Sequence, residues 1–146
     1  MENTNTQTEA SVEANTKPKS KYTQEELLSI FDEILFSGEY REDVLIKGKL
    51  KVTFRSRSVE ETTDISRRLD GGNYKLVNTL QEQRALLNLG YSVVGYNNKD
   101  LTSQDIEERL KFIRKLPASL IATLSEALVR FDMKTDEACR EAEENF

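Results

Sequence analysis

Between Tyr40 and Arg57 the apolar residues change their period, and that change decides the fold class. Val44 and Ile46 alternate with polar neighbours, Lys47-Gly48 supplies a turn, and Leu50, Val52 and Phe54 alternate again. Alternation puts every second side chain on one face of a strand, so the segment predicts a β-hairpin over about 40–46 and 49–57. On both sides of it the apolar residues recur at three- and four-residue steps, the period of helices. The expected fold is therefore α+β: one mainly helical domain with a single β-hairpin.

The helices can be placed from their start and stop signals. Thr23-Gln24-Glu25-Glu26 reads as a capping box, Leu27, Phe31 and Ile34 form an apolar face with Leu28, Ile30 and Leu35 beside it, and Gly38 ends the helix at about 37. Ser58-Val59-Glu60-Glu61 is a second capping box; its helix turns Ile65 and Leu69 inward and stops at Asp70-Gly71-Gly72-Asn73. Tyr74, Val77, Leu80, Leu87, Tyr91 and Val94 predict a long helix over about 74–94, weakened at Gly90, with a turn or miniature hairpin over 95–101. Thr102 or Ser103 caps a helix running through Ile106, Leu110 and Ile113 to Leu116. Pro117 then opens another, carrying Leu120, Ile121, Leu124, Leu128 and Phe131.

The two ends read differently. Residues 1–22 offer almost nothing to bury, which predicts a disordered arm, and their polar start does not resemble a signal peptide. The folded domain is expected over 23–131. From Asp132 the apolar pattern thins and acidic residues dominate, so 132–146 is expected as an acidic tail, partly helical or frayed. Three roles stay open for that tail: a solubilising end, a docking peptide ending at Phe146, or pairing with the basic strand. No apolar run approaches the roughly 20 residues of a membrane span, so no membrane partner is expected.

The chain of 146 residues has no His, no Trp and one Cys. No nucleophile stands beside a base, no ligands show metal spacing, and Gly71-Gly72 lacks the Lys-Ser/Thr sequel of a phosphate loop. The pairs Glu25/Glu26, Glu60/Glu61 and Glu107/Glu108 are accounted for by helix starts and a polar helix face. Cys139 has acidic neighbours, which raise a thiol pKa rather than activate it. The expectation is a non-enzymatic interaction module with no catalytic, cofactor-binding or metal residues and no cofactor.

Lys49, Lys51, Arg55 and Arg57 share the face of the second strand opposite Leu50, Val52 and Phe54. This is the leading partner-binding candidate, either a dock for an acidic protein or a solvated basic face. Nucleic acid is disfavoured by the net charge of −5 and by the lack of aromatic residues interleaved on that face. The helix at 23–37 is the second candidate: its face around Leu27 and Phe31 packs either on the core or on a partner subunit. Phe146 is the third. A second copy of the chain is left open as a partner.

The segment Leu50-Lys51-Val52-Thr53-Phe54-Arg55-Ser56-Arg57-Ser58-Val59-Glu60-Glu61 is followed by Tyr91-Ser92-Val93-Val94-Gly95-Tyr96-Asn97-Asn98-Lys99-Asp100-Leu101 and then by Phe112-Ile113-Arg114-Lys115-Leu116-Pro117. A basic strand entering a capped helix, a later Asn-containing turn and a Leu-Pro pair, over about residues 45–131, resemble the tail assembly chaperones and baseplate-hub assembly proteins of tailed bacteriophages. The resemblance implies a non-enzymatic protein that binds a phage structural or tape-measure protein during assembly, or a structural component of the virion. It also implies the host cytoplasm as the site of action, with the particle itself left open.

Overall fold

The computed structural model describes residues 21–72 and 77–144. Residues 1–20 of the disordered arm expected over 1–22, the start of the long helix at 74 and the docking residue Phe146 lie outside the described residues. Within them the fold is α+β, with five helices and one four-stranded antiparallel sheet.

Helix α1 spans Gln24–Ser37; Thr23 Oγ1 accepts the Glu26 amide at 3.1 Å, and Gly38, at φ 85°, closes the other end with its N–H on the Ile34 carbonyl. Strands β1 (Arg41–Ile46) and β2 (Leu50–Arg55) form the expected hairpin, with Arg41 opposite Arg55 and Ile46 opposite Leu50. Lys47 and Gly48 both take positive φ, the tight-turn geometry whose twist matches that of the strands. Helix α2 (Val59–Asp70) opens with a complete capping box, Ser58 and Glu61 each bonding the other's backbone amide.

The long helix is shorter than its periodicity suggests. Helix α3 spans Val77–Ser92, and Val93 and Val94, expected at its C-terminal end, instead begin strand β3 (Val93–Tyr96). The hairpin leaves one edge of β2 open; β3 pairs there, with Phe54 opposite Val93 and Val52 opposite Tyr96. Two β-branched residues before a glycine suit that edge better than a helix end. Gly95 is required for the fit, because a Cβ there would stand 2.7 Å from Thr53 Oγ1. Asn97 and Asn98 turn at positive φ into the two-residue strand β4 (Lys99–Asp100), giving the order β1-β2-β3-β4 rather than a lone hairpin.

Helix α4 (Ile106–Arg114) is capped by Asp105, whose carboxylate accepts the Glu108 amide at 2.9 Å. Thr102, one of the two expected caps, is engaged by Asp100 instead, through both its amide and its hydroxyl. Helix α5 runs unbroken from Ala118 to Glu144. The domain therefore does not end at 131, and the acidic stretch is part of the fold as far as Glu144. At 27 residues α5 is about 40 Å long.

Everything central packs on α5. The inner face of the sheet (Ile46, Val52, Phe54, Val93) meets Leu124, Ala127, Leu128 and Phe131, with Leu89, Leu101 and Ile113 completing the main core. Tyr40 stacks on Phe131 at 5.7 Å. Farther along, Ala138 lies under Leu27 and Ile30 of α1; Ala138 and Ala142 are both buried, their small side chains letting a helix approach closely. A second cluster joins α2, α3 and α4 through Ile65, Leu69, Leu87, Tyr91 and Leu110. Gly90 belongs to that packing rather than to a weak point: Leu110 occupies the place where its Cβ would be.

Candidate partner-binding site

The sheet disperses the four basic residues expected to act together. Lys49 lies in the β1–β2 turn, exposed and outside the strand. Lys51 is exposed on β2 and pairs with Asp43 at 3.5 Å. Arg55 turns toward α2, where Glu61 takes its guanidinium with both carboxylate oxygens, one at 2.9 Å. Arg57, just past the strand, donates to Ser92 Oγ at the end of α3 and to Asp132 of α5, both at 2.5 Å. The side chains of Arg55 and Arg57 are only 14% and 15% exposed. Of the expected basic face, the two arginines are structural clamps. The pairing left open between strand and acidic segment is realised in Arg57 and Asp132.

The electrostatics of the two clamps differ. Burial pushes the Glu61 carboxyl up, but bonds from Arg55 and the Ser58 amide outweigh it, and the net value falls below the ordinary carboxylate range. At Asp132 burial wins over Arg57, and the carboxyl sits above its usual value. Arg109 is buried beside the Arg55–Glu61 pair, and its Nε has no hydrogen-bond partner among the described residues. Burial and then the neighbouring Arg55 lower its pKa.

A shallow depression of about 320 Å³ remains on the outer face of the sheet, around Lys51, Arg41 and Lys99. Its cations are already matched. Arg41 pairs with Glu39 at 2.9 Å, Lys51 with Asp43, and the Lys99 ammonium lies 5.3 Å from the Phe112 ring centroid. This face offers little surplus charge to an acidic partner.

The residues proposed on the first helix separate in the same way. Leu27 is 1% exposed, held in the core against Ala138, and Phe31 is half-buried. The side of α1 that Leu27 was expected to present is thus covered by the chain's own α5. Leu35 and Phe36, at the end of the helix, are the large apolar residues that α1 leaves outside.

A different surface combines apolar area with unmatched charge. Between α3 and α5 runs a groove of about 640 Å³ whose walls include Ala85, Leu86, Leu116, Ile121 and Ala122. Glu82 and Arg114 stand among its polar lining residues. Ser125 also lines it, and its buried hydroxyl has no partner among the described residues. Along α5 the same helical spacing continues from Ala118, Ala122 and Ser125 to Val129 and Met133, which are 56% and 63% exposed. At the α4–α5 corner, Lys111, Arg114 and Lys115 are exposed and form no ion pair among the described residues. Lys111 and Arg114 in the last turn of α4 and Lys115 at its C-cap favour that helix's negative end but leave the ammonium and guanidinium groups open to solvent.

Comparison with protein-family models, with curated proteins and with solved structures returns no match. Among the described residues there is no group of His, Cys, Asp and Glu placed to hold a metal ion, and no helix long and apolar enough to cross a membrane. Burial first, then Asp136 and Glu143, raise the Cys139 thiol, so at neutral pH it is a poor nucleophile.

The groove was not visible in the sequence because its two walls are some thirty residues apart and neither has a strong apolar signature. One sign was present. Lys111, Arg114 and Lys115 cluster before Leu116-Pro117, where a helix turns a corner and its last charges have no following turn to pair with.

Proposed function

We infer that the protein acts without covalent chemistry, by holding an amphipathic acidic helix of a partner in the groove between α3 and α5. The observation that carries this reading is the groove itself: an apolar lining of small and aliphatic side chains beside a corner with three unmatched cations. A helix laid in such a groove buries its apolar stripe, and its carboxylates meet Arg114 and Lys115. The resemblance of residues 45–131 to phage tail and baseplate-hub assembly proteins supplies the partner class, a long helical tape-measure-type or hub protein bound during particle assembly. Small lining residues such as Ala85 and Ala122 suit a helical partner, since they let two helix backbones come close.

The test is co-purification of the full chain with the tape-measure protein of the same particle. Ala122→Glu places a carboxylate in the groove lining, and Arg114→Glu with Lys115→Glu inverts the corner. Both variants should fold normally and lose at least tenfold in binding, with the wild-type interaction weakening as salt rises. Wild-type affinity in both would remove the groove from the reading. Retention of the protein in purified particles would turn the assignment from assembly factor to structural component.

A further inference from the structure

We propose that the same groove takes a second copy of this chain, through the outward face of α1. This rests on reading the groove as a helix-binding site, and it names an occupant that is already present in every solution of the protein.

The face of α1 opposite Leu27, Ile30 and Ile34 carries Leu28, Asp32, Leu35 and Phe36, with Glu25 one turn earlier. Leu35 and Phe36 are 62% and 85% exposed, two large apolar side chains side by side at the helix end. Helix α1 has no basic residue, and on its outward face Glu25 and Asp32 form no ion pair among the described residues. Its outward face therefore has the two properties that the groove asks for: apolar knobs and unmatched negative charge. The cations at the corner, Lys111, Arg114 and Lys115, are the complementary set.

The contact cannot form within one chain, because Leu27 and Ile30 already fix α1 against Ala138. Between chains the knob of one copy meets the groove of another. Each copy then offers one of each, so association closes where two copies exchange knobs about a two-fold axis and otherwise runs head to tail into a ring or an open filament. Partner helix and second copy compete for one groove, so the protein is held in a self-associated reserve until a better-fitting acidic helix displaces its neighbour.

Sedimentation velocity of the full chain over a wide concentration range reads this directly. The wild type should grow in size with concentration, less so at high salt. Phe36→Glu, which spoils the knob, and Ala122→Glu, which spoils the groove, should each remain monomeric, with circular dichroism reporting unchanged folding. The decisive arm is their mixture. Phe36→Glu keeps an intact groove and Ala122→Glu an intact knob, so the two together should form a 1:1 heterodimer that neither forms alone and that grows no further. A monomeric wild type at every concentration overturns the proposal, as does a wild-type oligomer that survives Phe36→Glu, or a mixture with no heterodimer. Partner binding tells this apart from the groove reading: Phe36→Glu should leave co-purification with the tape-measure protein intact, whereas Ala122→Glu should abolish it. Loss of self-association alone leaves the groove reading standing; loss of the groove's effect on the partner removes both.

Discussion

Two cationic regions, similar as text, behave in opposite ways. At the end of β2, Arg55 and Arg57 are enclosed by Glu61, Ser92 and Asp132, and their charges fasten the hairpin to α2, α3 and α5. At the α4–α5 corner, Lys111, Arg114 and Lys115 face solvent with no ionic partner among the described residues. The difference does not lie in the basic residues. It lies in which acidic residues the fold delivers to them: Asp132 is 75 positions from Arg57 and arrives only because α5 crosses behind the sheet. Whether a charge cluster is open to a partner depends on whether the fold neutralises it.

That contrast breaks most readily at Arg57. Arg57→Ala removes two short hydrogen bonds and leaves the Asp132 carboxylate partly buried without its counterion, which should cost about 2–3 kcal/mol in urea unfolding. A loss under half a kilocalorie, with weakened partner binding, would return Arg57 to the docking surface. Glu61→Gln tests the second clamp and should cost about 1–2 kcal/mol at neutral pH. The sign with pH follows from the lowered folded-state value: this stability is present above the unfolded carboxylate pKa and is lost as pH falls through the folded one. The gap between wild type and Glu61→Gln should therefore close as pH falls from the ordinary carboxylate value through the lower folded one. A gap that stays constant as the carboxylate is protonated would mean that shape, not charge, holds Arg55. The smallest effect belongs to the corner. Arg114→Ala with Lys115→Ala should change stability by no more than about 0.5 kcal/mol. A loss above 1 kcal/mol would show that these cations also serve the fold, and the two regions would cease to differ in kind.

Much of the architecture could be read from local signals. The Ser58–Glu61 box, the Lys47-Gly48 turn, the Gly38 stop and the stripe from Leu120 to Phe131 all express chemistry contained within a few residues. What escaped was settled by distant neighbours. Val93 and Val94 carry a helical pattern and become strand because β2 has an open edge. The stretch from Asp132 looks like a fading tail because Ala138 and Ala142 add little hydrophobicity, yet small size is what the α1–α5 contact needs. Arg109 lies on a helix rich in charge and nothing nearby in the chain marks it for burial. The candidate site follows the same rule. The basic strand was legible as a pattern, but whether its charges were available depended on residues far along the chain, and the groove exists only once α3 and α5 lie side by side.

The long α5 helix has a consequence for the order in which the molecule is made. Helix α1 and the β1–β2 hairpin leave the ribosome well before the residues that cover them, since Leu27 and Ile30 wait for Ala138, and Phe54 waits for Leu128 and Phe131. Until then the nascent chain presents its apolar faces and an unpaired strand edge to whatever is near. Early contacts with α5 are non-local and form slowly. The protein's first need for a helix to lie against is met by its own, and only after α5 has docked can the groove on its far side be offered to another.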